Sequence, residues 1–256
     1  EKSSLRTRLS FYLAIKQLGG SALTLRPDEL HLSKGGESIE DTAKILSNFG
    51  NAFMLRTDSE KKLDEFKRHL SIPIINGLSP SSHPTQILSD IFTVEEIKKK
   101  SISKLNITWI GDTNNVLNSL IAASIKFSFK LNIGCPKNYQ PDQNIMKYIK
   151  NNRNKIFIYN DPKKAATGAD VIFSDKVISL NDNVNKKKKL KDFKKFKISE
   201  NLMKSCPKAI FLHCLPRGKE VDEKVFSSKK SKVWQQAMNR IHVQKSILLY
   251  CFGKLR

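Results

Sequence analysis

Residues 106–127 read NITWIGDTNNVLNSLIAASIKF, and the fold class follows from them. Asn106 to Ile110 is a short apolar run of strand type, Gly111 to Asn115 is a polar turn, and an apolar-faced helix continues to about Phe127. A strand that passes through a glycine turn into such a helix opens a βα unit. The turn joins strand to helix as a dinucleotide fingerprint would, yet it lacks the GxGxxG spacing that would cradle a pyrophosphate.

The alternation repeats in both directions. Toward the C-terminus, strands are predicted at Leu131–Gly134, Lys155–Tyr159, Asp170–Ser174 and Ala209–His213, with helices around 142–150, 162–167 and 187–193. Toward the N-terminus, helices are predicted at Leu5–Leu18, from Ser38 to Phe49, at Lys61–His69, and from Pro84 to about Thr93. Strands are predicted there at Ala22–Leu25, Ala52–Leu55 and Ile72–Ile75. The basic stretch Glu95–Lys104 reads as the connection between two lobes. The expected architecture is α/β: two doubly wound domains with central, mainly parallel sheets, spanning 1–99 and 105–240. Open sheets of this kind bind ligands beyond the C-terminal ends of their strands.

Composition narrows the function. The 256 residues carry a formal charge of +22, which invites a nucleic-acid reading. The excess is mostly lysine, however, and only two Trp and five Tyr accompany it, with no stretch interleaving arginine and aromatics as a stacking platform would. A solvated lysine-rich face explains it better than nucleic acid as the main partner. No 18-residue apolar run suggests a membrane span. The cysteines at 135, 206, 214 and 251 show neither CxxC pairing nor metal-ligand spacing, so reduced thiols are expected.

Several polar clusters stand where chemistry would. Ser4, Arg6, Thr7 and Arg8 begin a helix, where hydroxyls, unpaired N–H groups and guanidinium can hold phosphate; local composition alone equally fits an ordinary N-cap beside surface arginines. Arg56 ends a buried strand. His83-Pro84-Thr85-Gln86 precedes a helix and offers a neutral imidazole and an amide as donors to a substrate oxygen, or else a capped loop. No acidic or cysteine ligand stands at a metal-binding interval from His83 or His213, so no metal is expected. Asn114 and Asn115 follow one strand and can cap a helix or meet a ligand. Asp175 and Ser179 follow another, placed to meet an amine or to cap a loop. Cys214 follows a third and reads as a core thiol, an orienting group or a nucleophile.

These clusters, in this order, resemble the ornithine carbamoyltransferases of the aspartate/ornithine carbamoyltransferase superfamily. The resemblance is carried by EKSSLRTR at 1–8, HLSKGGESIEDTAKILS at 31–47, INGLSPSSHPTQILSD at 75–90, WIGDTNN at 109–115, the 175–181 loop, FLHCLPR at 211–217 and Asn239-Arg240. It covers essentially the whole chain, and HPTQ with HCLPR is highly specific. It implies carbamoyl transfer from carbamoyl phosphate to L-ornithine, yielding citrulline and phosphate without cofactor or metal. By matching positions, Ser4, Leu5, Arg6, Thr7, Arg56, His83, Gln86, Cys214, Leu215 and Arg240 bind carbamoyl phosphate. His31 is contributed by a neighbouring subunit of a homotrimer. Asn115, Asp175, Ser179 and Leu180 contact ornithine. Thr7, Arg56, His83 and Cys214 are the implied catalytic set, with Cys214 orienting the amine and not carrying the acyl group. The resemblance further implies a first, carbamoyl-phosphate-binding domain, an ornithine-binding domain, and a helix over 241–256 packing back on the first. It also implies a helix and strand ahead of Glu1, and a mitochondrial matrix enzyme, with cytoplasm as the alternative.

The pattern is not followed everywhere. Leu5 replaces the usual second hydroxyl of the first motif, and Met238 replaces the glutamate before Asn239-Arg240. The family's Asp-x-Trp-x-Ser-Met-Gly loop becomes Asp175-Lys176-Val177-Ile178-Ser179-Leu180-Asn181. Exchanging tryptophan for valine removes packing area, and losing glycine restricts the backbone, so transfer to a related amine, or a weakened homologue with a basic partner-binding surface, stands beside the main reading.

Overall fold

The computed structural model describes residues 4–26, 29, 36–151, 155–178 and 185–255. The chain forms two compact units, Glu1–Ser89 with Met238–Arg256, and Asp90–Ala237. The first contains α1 (Leu5–Gln17), α2 (Ile39–Phe49), β1 (Phe53–Arg56), α3 (Glu60–His69) and β2 (Ile74–Leu78). The division falls inside α4 (Pro84–Lys98). The second unit then holds β3 (Asn106–Ile110), α5 (Asn115–Lys126), β4 (Lys130–Gly134), α6 (Gln143–Lys150), β5 (Ile156–Tyr159), α7 (Pro162–Ala166), β6 (Val171–Ser174), α8 (Lys186–Asp192), α9 (Glu200–Ser205), β7 (Ile210–His213) and α10 (Glu223–Phe226). The chain leaves it along α11 (Val233–Cys251).

In the first unit β1 and β2 pair in parallel. Side chains alternate across a strand, and here the alternation sorts residues to two apolar layers. Met54 and Ile75 join Phe11, Ala14 and Leu248, while Phe53, Leu55 and Ile74 join Ala43 and Phe66. Helices therefore cover both faces, as a doubly wound sheet requires. The ladder steps from Leu55↔Asn76 to Arg56↔Leu78, leaving Gly77 without a partner. A Cβ at Gly77 would stand 2.9 Å from Arg56 Cγ and nearer still to the Met54 sulfur, so only glycine lets the Arg56 stem cross β2.

The second sheet runs β5-β4-β3-β6-β7, every pair parallel. Chain order reverses between β3 and β6, the switch point at which such sheets open a crevice. Gly111 makes the turn there with φ of +150°, a conformation side chains resist, and a Cβ would meet Ser174 Oγ at 3.3 Å. Ser174 Oγ donates to the Ile110 carbonyl at 2.8 Å, fixing the two strand ends together.

Three expectations change. Residues 22–25 form no strand. Glu95–Lys104 is not a linker: α4 continues to Lys98 because Ile87, Ile91 and Val94 sustain one buried face, and it stops where Lys99 turns left-handed. Arg240 lies mid-helix in α11, which begins at Val233, and it belongs with the first unit.

Candidate active site

In the first unit the site is built around one hydroxyl. Ser4 caps α1, accepting from the Thr7 N–H at 3.2 Å and donating to Thr7 Oγ1 at 3.0 Å. Thr7 Oγ1 also accepts from Arg56 Nη1 and Arg240 Nη2, each at 3.0 Å. Arg240 Nη1 donates to Gln86 Oε1 at 2.9 Å. Three donors thus converge on a hydroxyl oxygen with two lone pairs, a density of donors suited to a more strongly charged acceptor. His83 is buried at the start of α4, its Nδ1 3.5 Å from the Thr85 hydroxyl. Burial first, then the charges of Arg240, Arg56 and Arg6, hold its imidazole well below the ordinary 6.5. It stays neutral and keeps a ring N–H to donate. Leu5 is the member set apart: its side chain is 72% exposed, so only its main-chain N–H, at the first position of α1, faces the helix terminus that favours anions.

His83 is positioned by the turn before it. Ser79 N–H donates to the Ser82 carbonyl at 2.8 Å, and Asn76 Nδ2 donates to Ser82 Oγ at 2.9 Å. The NG and SPSS signals of residues 76–82 therefore tie His83 to the end of β2.

The second unit places its candidates beyond the C-terminal ends of β3, β6 and β7. Asn114 caps α5, its Oδ1 accepting from Val116 and Leu117 N–H groups, while its Nδ2 donates to Asp175 Oδ2 at 2.9 Å. That bond spans the switch point. Burial pushes the Asp175 carboxyl above its ordinary range, against the pull of His213 and the bonds from Lys176 N–H and Asn114. Asn115, the residue the motif singled out, begins α5 and is partly buried.

Cys214 and Leu215 follow β7. The Leu215 N–H donates to His213 Nδ1 at 2.9 Å, so the ring proton sits on Nε2, which faces Glu220 Oε1 at 3.1 Å. Burial raises the Glu220 carboxyl, but bonds from His213 and the Gly218 N–H outweigh it and hold it below the ordinary range. Leu215 has φ of +56°, a strained conformation for a branched side chain, and the His213 ring fixes it in place.

One lysine of the 186–189 run differs from its neighbours. Lys189 Nζ lies 2.6 Å from Asp112 Oδ2, with both side chains largely buried, whereas Lys186 to Lys188 are exposed. Asp175 and Lys189, one on each side of the altered loop, are thus both bonded to the 112–114 turn. Ser179, Leu180 and His31 lie outside the described residues. Among the described residues, no group of three or more His, Cys, Asp or Glu side chains is placed to hold a metal, and no helix is long and apolar enough to cross a membrane.

Sequence reasoning missed Asn114 as the partner of Asp175, and missed Glu220 and Lys189 altogether. The N-cap position of Asn114 was a usable signal; the other two are recognisable only by what they touch.

Two parallel sheets carrying a basic hydroxyl cluster and a carboxylate at a switch point define a class of two-substrate α/β transferase, and the chain belongs to the aspartate/ornithine carbamoyltransferase family. Residues 1–96 match that family's carbamoyl-P binding domain, and residues 103–251 its Asp/Orn binding domain. Among curated relatives, the ornithine carbamoyltransferase of Methanocorpusculum labreanum is 42% identical over 252 residues, 97% of this chain and 82% of that protein. Among solved structures, ornithine carbamoyltransferase from Pyrococcus furiosus superposes with a TM-score of 0.92 at 37% identity, covering 100% of this chain and 83% of that one. A mitochondrial ornithine carbamoyltransferase from Coccidioides immitis superposes at 0.86 with 30% identity, covering 99% and 82%.

Proposed function

We propose that this protein transfers the carbamoyl group of carbamoyl phosphate to the side-chain amine of L-ornithine, forming L-citrulline and phosphate. The observation that carries the reading is the convergence of Ser4, Arg56 and Arg240 on Thr7 beside a neutral His83. Such a cluster suits a dianionic phosphate ester bearing a carbonyl that must be polarised.

Ser4, Arg6 and the Leu5 N–H hold the phosphate, while Gln86 and Arg240 orient the carbamoyl end. The neutral amine of ornithine attacks the carbamoyl carbon. Negative charge grows on the carbamoyl oxygen and is met by Thr7, Arg56 and His83. The C–O bond to phosphate then breaks, and the leaving phosphate takes the bonding electrons and, directly or through solvent, the proton shed by the amine. Asp175, Asn115, Ser179 and Leu180 bind the amino acid, Cys214 orients its amine, and Cys214 and Leu215 also bind carbamoyl phosphate. The unit of function is a homotrimer in which His31 completes a neighbouring subunit's site. Exposed Leu5, Leu9 and Leu13, four residues apart along α1, support such an interface. We assign the reaction to the mitochondrial matrix, with cytoplasm as the alternative; four cysteines outside any disulfide fit either reducing compartment.

The altered loop favours one second reading, transfer to a related amine. Val177 is buried within an apolar cluster, a small side chain where the family pattern has tryptophan. Purified protein supplied with carbamoyl phosphate and either ornithine, lysine or a simple diamine separates the two. Citrulline formation is the expected result. Product from another amine alone would replace the substrate assignment, and no transfer from a stable trimer would overturn the enzyme reading.

A further inference from the structure

Gln236 is 1% exposed, in the first turn of α11, and both ends of its amide are bonded. Its Oε1 accepts from the His213 N–H at 3.0 Å, and its Nε2 donates to Asp90 Oδ1 at 2.7 Å. Asp90, on α4, is likewise 1% exposed. Asp90 ends the 75–90 motif, but the motif-based assignment gives neither it nor Gln236 a role in the site.

The reason for an amide here lies in the sheet. β7 ends the sheet beside β6, and its outer edge carries a single bridge, Phe211 to Ser231, among the described residues. Alternate N–H groups of a strand point to opposite edges: that of Ile210 bonds toward β6, to the Asp170 carbonyl, and those of Phe211 and His213 point outward. The segment 230–232 satisfies Phe211, whose N–H donates to Lys230 O at 2.8 Å and whose carbonyl accepts from Lys232 N–H at 2.9 Å. The chain then turns into α11, and the next carbonyl, that of Lys232, accepts from the Gln236 N–H at 2.9 Å and not from His213. Gln236 Oε1 occupies that next position on the ladder. A buried N–H left unmet is costly, and His213 is the last strand residue before Cys214.

We infer that Gln236 is a positioning residue for the reaction: its side-chain amide extends the outer ladder of β7 by one rung and so fixes where Cys214 and Leu215 stand. Asp90 sets its direction. The carboxylate accepts only, so it holds the NH₂ end, and the carbonyl end must face His213. With Glu220 and the Leu215 N–H on its ring, His213 is then held through both backbone and side chain. The inference rests on the carbamoyl-transfer reading for its consequence, not for its geometry.

The test uses the full chain with three substitutions. Gln236→Leu keeps the volume and removes both bonds. Amide exchange measured on peptides spanning 210–216 should quicken at least about tenfold, and kcat for citrulline formation should fall about tenfold, as small misplacements of reacting groups do. Equilibrium binding of carbamoyl phosphate alone should weaken less than turnover, by about threefold at most, because only Cys214 and Leu215 of its binding set lie on this loop and the Thr7 cluster does not. Asp90→Asn offers donors as well as an acceptor, so it loosens the direction of the Gln236 amide without removing its bonds, and turnover should fall less than in Gln236→Leu. Gln236→Asn, one methylene short, can reach a single partner and should fall between the two, which preserves the test if the leucine variant does not fold. Parent-like exchange and turnover in Gln236→Leu, or exchange quickening throughout the chain with equal loss of carbamoyl phosphate binding, would overturn the inference. If the parent makes no citrulline, the functional reading fails, and the exchange result still decides whether Gln236 anchors this loop.

Discussion

The two units solve the problem of holding a charged ligand in opposite ways. In the first, cations gather around a hydroxyl, and burial, reinforced by the charges of Arg240, Arg56 and Arg6, suppresses protonation of His83. In the second, a carboxylate is kept at the switch point by a neutral amide, and burial works against its charge. Both arrangements are unfavourable to the folded chain taken alone, since like charges repel and a desolvated carboxylate resists ionising. The difference teaches which substrate each unit awaits: an anion relieves the first, and a cationic amino acid relieves the second.

Substitutions at these groups should expose that contrast. Arg56→Ala should produce the largest effect. It removes a donor to the developing oxyanion, costing activity about a thousandfold, as oxyanion donors do, while the unfolding free energy from urea titration stays within about 1 kcal/mol of the parent because a cation leaves a cationic cluster. Unchanged kinetics would remove Arg56 from the site. Asp175→Asn should lower kcat/KM for ornithine about a hundredfold, through loss of charge pairing with the amine. Its stability should move the other way. The folded carboxyl is raised, so the native state loses stability as pH climbs from the unfolded value to the folded one and stays penalised above it, and the uncharged variant should melt no lower than the parent at neutral pH. A clear loss of stability would contradict the buried-carboxylate account.

Lys189→Met tests the tether of the altered loop and should be milder in its effect on catalysis. Breaking a buried pair from one side leaves Asp112 desolvated and costs about 3 kcal/mol in urea unfolding. The ornithine KM should rise with it while carbamoyl phosphate binding holds. Lys189→Arg should restore both if the pair is what matters. Smallest is the pH response of His83. Its folded value lies below 6.5, so the unfolded chain takes up a proton that the native state refuses. Stability from this group is intact above about pH 6.5 and declines below it, by at most about 1.4 kcal/mol per pH unit. His83→Gln should flatten that acid limb in denaturant titrations between pH 7.5 and 5.

The parallel sheets were legible because their causes are local: apolar runs, N-caps and glycine turns follow from a few adjacent residues. Among the described residues, the seven strands and the helices from α1 to α8 lie where that periodicity places them, and the strand ends carry Arg56, Asp175 and Cys214 as an open sheet predicts. The same reasoning failed at residues 22–25, where four apolar-leaning residues looked like a strand without a neighbour to pair with. It also shortened α4, because the charged residues Glu95 and Glu96 resemble a linker when their buried neighbours Ile91 and Val94 are not weighed.

What the sequence determined alone was thus the elements, their order, and the kinds of side chain at the strand ends. Only the tertiary structure decided that Arg240 meets Thr7, 233 positions away, that Lys189 differs from three identical neighbours, and that Gln236 fills the last rung of an edge strand. Those outcomes depend on desolvation and on which donor finds which acceptor once the sheet is closed. That information is not contained in any short stretch of chain, because a side chain's neighbours in sequence do not fix its neighbours in space.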